Sequence, residues 1–239
     1  MEKYENILKI EEIRRLLSNK EYKKAALVLE TMNIDKVKAI TDLNIIAKVL
    51  FENKRYDEAM IILERVYEKT QSRKVIQQLL NVSIKIGDLQ LAKDYYEEYL
   101  EVAPKDPNRY IFQYLLSKLE DKPIEEQIAP LEKLKRYEYI EKWAYTLATL
   151  YHKASMKEEC IKECEDIILW FGTGSYVERA ELLKGYYEGT VDLFSLLKEQ
   201  KEEKTEKSTK EDETPEEEQE IKEEKIEERY EKVKLERDD

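Results

Sequence analysis

The amino-acid sequence predicts an all-α protein in which a pair of helices is repeated along the chain. Five Gly and five Pro in 239 residues are too few for the turns of a β-rich fold. Glu, Lys, Leu, Ile and Ala, most of which favour helices, make up much of the chain. A pattern with a period of about 34 residues runs along positions 5–170. Together these observations predict a solenoid of stacked helical hairpins.

The period is clearest at the first inward position of the second helix in each hairpin. These positions are occupied by Ala25, Ala59, Ala92, Gln127 and Cys160, and the four intervals between them differ by at most two residues. Four of the five residues are small, as a close helix–helix crossing requires. Gln127, together with Pro130 inside the same helix, predicts that the fourth repeat is irregular and that its second helix is kinked.

The first helix of each hairpin is amphipathic. Leu43, Ile46, Ala47 and Leu50 follow one another at helical spacing and form one apolar stripe. Trp143, Leu147, Ala148 and Tyr151 repeat the pattern near the other end of the array. A single hairpin cannot bury such a stripe, so neighbouring hairpins must stack.

Two segments resemble the tetratricopeptide repeat (TPR) family, namely "IKIGDLQLAKDYYEEYLEVAPKDP" and "KWAYTLATLYHKASMKEEC". The first has Gly87-Asp88 at the turn, then Ala92, Tyr96 and Tyr99, in the order typical of the family. The resemblance implies a right-handed superhelix of five repeats. The repeats are predicted near residues 5–38, 39–72, 73–106, 107–140 and 141–172.

A further, degenerate hairpin is predicted at residues 175–200, which closes a solenoid domain of residues 1–200. Residues 201–239 carry 10 Lys or Arg against 18 Asp or Glu and few apolar residues. Such a segment cannot bury a core, so it is predicted to be a disordered acidic tail. Residues 215–237 within it have a capping pattern and predict one helix or a short coiled coil.

The charge and hydropathy of the chain restrict its partners and location. A net charge of −12 with no basic aromatic cluster predicts that nucleic acid is not a partner. No segment reaches the ~18 apolar residues of a membrane span, and no secretory signal is present, so a cytoplasmic protein with no membrane contact is predicted. Heavy use of Lys, Glu, Ile and Tyr is typical of a bacterial source.

The only histidine and both cysteines fall close together, at His152, Cys160 and Cys164. Cys160 occupies the small packing position, and Cys164 occupies the inward position four residues later. His152 lies on the other helix, one residue past its apolar stripe, and is predicted to point away from both thiols. Packing therefore explains the cysteines, and the sequence predicts no enzyme activity, no metal site and no cofactor.

The resemblance implies that first-helix residues line a concave groove for a peptide. The predicted groove residues are Arg14, Asn44, Lys48, Lys74, Gln77, Asn81, Lys85, Arg109, Phe112, Lys142, Tyr145, Thr149, His152 and Lys153. Across all such positions, seven Lys or Arg stand against two Glu. A basic groove in an acidic protein would attract acidic segments, and the tail 201–239 is a predicted competitor near Lys48 and Lys85.

The leading functional hypothesis is a non-catalytic protein-interaction scaffold that binds a peptide or protein segment in this groove. One alternative is a self-associating regulatory module of a bacterial signalling or assembly system. A more remote alternative is a metal- or thiol-dependent activity at His152, Cys160 and Cys164.

Overall fold

A computed structural model describes the backbone of residues 2–191 and the side chains of residues 5–191. Within that range the chain forms eleven α-helices and one short 3₁₀ helix, Ile34–Lys36, with no strand. The α-helices are α1 (Glu2–Ser18), α2 (Tyr22–Glu30), α3 (Ile40–Glu52), α4 (Tyr56–Thr70), α5 (Arg73–Ile86), α6 (Leu89–Val102), α7 (Asn108–Leu119), α8 (Ile124–Tyr137), α9 (Glu141–Lys153), α10 (Lys157–Phe171) and α11 (Ser175–Glu188).

The chain divides into a compact unit, Met1–Tyr187, and the remainder, Glu188–Asp239. The helical array belongs to the first unit. The second helix of the predicted terminal hairpin, the acidic tail and its predicted helix at 215–237 lie outside the described residues.

Each of the first five hairpins turns at a residue in the left-handed region of backbone conformation. These residues are Lys20, Lys54, Gly87, Asp121 and Ser155, with φ between 52° and 87°. Successive turns are one repeat length apart, to within one residue. In every case the following N–H donates to the carbonyl five residues earlier, at 2.9–3.2 Å, which closes the end of the first helix. The sequence repeat is therefore a repeat of one backbone turn.

The small inward positions form the crossing points inside the hairpins. Ala25, Ala59, Ala92 and Cys160 are each fully buried. Gln127 in the fourth repeat is only half-buried, and its side-chain amide donates to the carbonyl of Lys122 at 2.6 Å. The neighbouring Ile128 is buried instead, 5% exposed, so repeat four packs with a locally shifted register. α8 nevertheless runs through the buried Pro130 without ending.

The hydrophobic core extends along the array in two clusters that meet at α7. Phe112 and Leu116 join the cluster on the N-terminal side, whereas Tyr114 joins the cluster on the C-terminal side. Val177 and Ala180 of α11 are buried against the second cluster. α11 therefore covers the apolar surface that the fifth hairpin would otherwise expose, as a terminal repeat must.

Several odd-numbered helices of successive hairpins contact one another, and Tyr114 of α7 also meets Trp143 of α9. α1 contacts α3, and α5 contacts α7, across successive hairpins. No two successive even-numbered helices of the described region approach each other to the same extent. These contacts fit the expectation, implied by the resemblance, that first helices line the concave side of the array.

Candidate functional site

The hairpin turns fix which residues of the odd-numbered helices are equivalent. Ser83 in α5 and Ser117 in α7 precede their turn residues by four positions, and the carbonyl of each accepts the turn's closing hydrogen bond. Counting back from the turns gives one stripe of equivalent positions on the odd-numbered helices, here called the inner stripe. Its members are Ile7, Ile10, Arg14 and Ser18 in α1; Thr41, Asn44, Lys48 and Glu52 in α3; Lys74, Gln77, Asn81 and Lys85 in α5; Asn108, Ile111, Leu115 and Leu119 in α7; and Lys142, Tyr145, Thr149 and Lys153 in α9.

Two predicted groove residues in α7, Arg109 and Phe112, lie one position away from the inner stripe. Phe112 is only 4% exposed and packs edge-on against Tyr99, with ring centroids 5.2 Å apart. Arg109 is turned aside, because its guanidinium donates to Pro104 O at 2.5 Å and to Tyr110 Oη at 2.7 Å. The structure thus places Phe112 in the core and holds Arg109 in local hydrogen bonds, while the groove itself stays a prediction.

One extra residue in the fourth repeat separates the predicted positions in α7 from the inner stripe. The interval between Ala92 and Gln127 is one residue longer than the repeat. Ser83 and Ser117, however, are separated by the ordinary repeat length. The extra residue therefore lies after α7, in the turn that precedes α8. The stripe residues that replace the predicted ones, Ile111, Leu115 and Leu119, are apolar and half-buried.

α5 contributes two exposed lysines at the ends of its part of the stripe. Lys74 lies at the start of the helix and Lys85 at its end, and the exposed Asn81 lies between them. Gln77 is held in place, since its amide donates to Tyr99 Oη at 3.1 Å and to Asp106 Oδ2 at 3.3 Å. Only its carbonyl oxygen is left to accept a hydrogen bond from a ligand.

The stripe is less basic on α1 and α3. Arg14 is paired with Asp42 at 3.2 Å and with Glu11 at 3.4 Å, which neutralises it. Asn44 donates to the carbonyl of Ile40 at 2.9 Å. Lys48 is exposed, and within the described region it has no acidic side chain at ion-pair distance.

α9 presents both basic and aromatic groups. Lys142 lies over the ring of Trp143 at 5.2 Å, and Tyr145 contacts Tyr176 of α11 with ring centroids 5.8 Å apart. His152 is adjacent to the stripe, and its Nδ1 is 2.7 Å from Tyr187 Oη. His152 is half-buried, and its contact with Tyr187 attaches α11 to α9.

Cys160 and Cys164 face the core and form no disulfide. Both are fully buried, as predicted from their repeat positions. The hydrogen bond with Cys160 and burial together raise the pKa of Cys164, so its thiol stays protonated. Over residues 5–191, no group of three or more His, Cys, Asp and Glu side chains is placed to hold a metal ion.

Charge is separated between the two sets of helices. α5, α7 and α9 carry seven Lys or Arg and one Glu. The even-numbered helices α4, α6, α8 and α10 carry eight Lys or Arg and sixteen Asp or Glu. The inner stripe itself holds six Lys or Arg and one Glu, Glu52. The helices that carry most of the inner stripe are thus basic, whereas the even-numbered helices are acidic.

Repeated hairpins of this length, with their recurring turn and small crossing residue, define a tetratricopeptide-type solenoid. Solved structures share the fold. A tetratricopeptide repeat protein from Parabacteroides merdae matches with a TM-score of 0.61 at 14% identity, over 76% of this chain and 70% of that one. The C-terminal part of a TPR repeat-containing protein from Cytophaga hutchinsonii matches with a TM-score of 0.57 at 16% identity, over 76% and 70%.

MamA from Desulfovibrio magneticus, from residue 41 to its end, also matches, with a TM-score of 0.54 at 16% identity over 72% of this chain and 94% of that one. At these identities the likeness concerns the fold. No protein-family model matches the sequence, and no curated protein matches it. None of the described helices is both long and apolar enough to cross a membrane.

Proposed function

We propose that this protein is a non-catalytic protein-interaction scaffold that binds an acidic segment of another protein along the inner stripe. The observation that carries the proposal is the separation of charge between the basic helices α5, α7 and α9 and the acidic even-numbered helices that pack behind them. Opposite potentials on two sides of one array direct an acidic ligand to one side and repel it from the other.

The lysines of the stripe have the properties that such binding needs. Lys48 and Lys74 are exposed, and in the described part of the chain neither is neutralised by an acidic neighbour. Their long side chains can reach a ligand without any change in the backbone. Each exposed ion pair contributes about 0.2–1 kcal/mol, so binding requires several of them together and weakens as salt increases.

The proposal is tested by selecting peptides from a random displayed library on the full-length protein. We expect the selected peptides to be rich in Asp and Glu. Lys74→Glu/Lys142→Glu should weaken their binding at least about tenfold, since two attractions become repulsions. The matched control is Lys69→Glu/Lys162→Glu, which makes the same charge change on α4 and α10 and should leave binding within about twofold. Peptides without acidic residues, or equal binding to both variants, would overturn the proposal.

One observation favours a second candidate function, which is self-association. Leu169 and Trp170 at the end of α10 are 81% and 72% exposed, on a helix outside the inner stripe. Exposed adjacent apolar side chains of this size are typical of contact surfaces. Light scattering should then show a dimer or larger species that Trp170→Ser converts to a monomer. A monomer at every concentration would eliminate this candidate.

The predicted competition by residues 201–239 concerns a segment outside the described residues. It remains a prediction from charge alone, and a comparison of peptide binding by the full chain and by residues 1–200 tests it.

A further inference from the structure

We infer that the segment recognised by the inner stripe has an acid–apolar–acid pattern, with the two acidic positions about six residues apart. This inference rests on the proposed function and names the class of its ligand. It follows from the order of side chains across α5, α7 and α9, which differs from helix to helix.

Equivalent stripe positions in these three helices form tracks that cross the array. The track at the C-terminal ends of the three helices contains Lys85, Leu119 and Lys153, each one repeat length from the next. The track at the opposite end contains Lys74, Asn108 and Lys142. Both tracks place a lysine on α5 and on α9, with an uncharged residue on α7 between them.

In the two central tracks the residue on α7, which lies between those of α5 and α9, is apolar. One contains Gln77, Ile111 and Tyr145, and the other contains Asn81, Leu115 and Thr149. Ile111, Leu115 and Leu119 thus give α7 an apolar surface, which lies between two helices with basic ends. These three side chains are half-buried, and their outer parts remain available to a ligand.

The separation of the helices sets the spacing of the ligand. Packed helices have axes roughly 8–10 Å apart, so α5 and α9 are separated by roughly 16–20 Å across α7. An extended chain advances roughly 3.3 Å per residue. Two acidic residues that reach the lysines of α5 and α9 are therefore about six residues apart, with an apolar residue midway.

The apolar middle distinguishes this ligand from a purely acidic one. Burying one Leu side chain contributes more binding free energy than a single exposed ion pair does. A polyacidic segment would place a charge over Ile111, Leu115 and Leu119, where desolvation opposes it. The stripe should therefore prefer the patterned segment to one with more acidic residues and no apolar centre.

The test is a set of synthetic peptides of one composition, measured by fluorescence anisotropy on the full-length protein. Each has a pair of Glu residues, Ser spacers and one central Leu, and the Glu separation is three, six or nine residues. We expect the six-residue separation to bind best. Replacing its central Leu by Ser should weaken binding about tenfold, the equivalent of about 1.4 kcal/mol.

A protein variant shows whether α7 is the source of this preference. Leu119→Gln should reduce the difference between the Leu and Ser peptides from about tenfold to less than about twofold, while both still bind through their acids. Leu27→Gln, a control at a 64% exposed leucine of α2, should keep the full difference. A general loss of folding in Leu119→Gln would lower binding of both peptides equally and would show in circular dichroism, and the peptide series on the unaltered protein then decides.

The outcomes separate the two proposals. If acidic peptides bind the stripe with no dependence on spacing or on the central Leu, the pattern is wrong and the scaffold proposal stands. If no acidic peptide binds, or if Lys74→Glu/Lys142→Glu and Lys85→Glu/Lys153→Glu both leave the binding of every peptide unchanged, both proposals fail. Retention of the tenfold preference in folded Leu119→Gln overturns the assignment to α7.

Discussion

Ser83 and Ser117 occupy the same buried place in successive hairpins. The hydroxyl of Ser83 donates to the carbonyl of Leu80 at 2.9 Å, and that of Ser117 donates to the carbonyl of Tyr114 at 2.8 Å. The main-chain carbonyl of each serine accepts the hydrogen bond that closes the turn after its helix. This equivalence fixes the register of α7 and makes the middle of the inner stripe apolar.

The left-handed turn residues predict a stabilising substitution. Lys20 has a φ of 60°, which is unfavourable for a residue with a Cβ atom. Lys20→Gly should raise the free energy of unfolding by about 0.5–1 kcal/mol, since the relief of strain exceeds the entropy that Gly adds to the unfolded chain. Urea unfolding followed by circular dichroism measures the change.

Two controls accompany this measurement. Gly87→Ala should lower stability by about 1 kcal/mol through its φ of 87° alone, because an added Cβ would meet no atom within 4 Å. Ala129→Gly, on the exposed side of α8, should also lower it by about 1 kcal/mol. If Lys20→Gly destabilised the protein as much as Ala129→Gly does, the turn conformation would not be the controlling factor.

Cys160 should behave as a packing residue. Cys160→Ala places there the residue that three other repeats have, and should cost less than about 1 kcal/mol of stability. Cys160→Leu should cost about 1–3 kcal/mol, because the crossing has no room for the larger side chain. Thermal unfolding of both variants checks this. An equally large loss in Cys160→Ala would show that the thiol has a role besides packing.

Lys135 should be required for the junction between the fourth and fifth repeats. Its Nζ is 2.6 Å from Glu163 Oε2 and 2.7 Å from Asp166 Oδ2, and Glu163 is 3% exposed. Lys135→Met leaves the Glu163 carboxylate buried without a counter-ion and should cost about 2 kcal/mol at neutral pH. Lys133→Met, an exposed neighbour, should change stability by less than about 0.5 kcal/mol.

The loss in Lys135→Met should depend on pH. Burial raises the pKa of Glu163 above its ordinary value, although Lys135 partly opposes this shift. Removing Lys135 raises that pKa further, so the native state holds a proton that the unfolded state releases. The cost of the substitution should therefore shrink as pH falls through the pKa of Glu163. Urea titrations at neutral and acidic pH measure it, and a cost that grew on acidification would contradict the prediction.

Tyr67 should make the protein sensitive to base. Its hydroxyl donates to Glu98 at 2.8 Å, while Tyr95 donates to Glu64 at 2.9 Å, so α4 and α6 are joined by two reciprocal bonds. Burial, then the bond to Glu98, raises the pKa of Tyr67 from 10.0 to about 12. The Tyr67 hydroxyl therefore keeps its proton to a higher pH in the native state than in the unfolded state. Stability from this group is therefore complete below pH 10 and is lost as pH rises towards about 12.

Tyr67→Phe tests that contribution directly. It should cost about 0.5–1.5 kcal/mol near neutral pH and make the decline of stability in base less steep. Tyr22→Phe, at a half-buried tyrosine of α2, serves as the comparison for the loss of one tyrosine hydroxyl. An unchanged slope in Tyr67→Phe would mean that the Glu98 bond does not control the response.

Much of the fold could be predicted from the sequence, because the information is local and repeated. The repeat period, the small residues at Ala25, Ala59 and Ala92, and the amphipathic stripe of α3 each require only helical geometry and the need to bury apolar surface. The burial of Cys160 and Cys164 followed from the same register. A periodic pattern determines such features because each hairpin buries its apolar face against its neighbours in the same way.

The tertiary structure decided what the pattern left ambiguous. One extra residue between Ala92 and Gln127 could lie before or after α7, and only the turn at Asp121 and the paired bonds of Ser83 and Ser117 placed it after. That choice buried Phe112, turned Arg109 aside and brought Leu115 onto the inner stripe. A helix rotates by about 100° per residue, so a one-residue shift exchanges a core position for a groove position. Periodicity alone therefore determined the array, whereas the set of side chains on the inner stripe depended on contacts between helices.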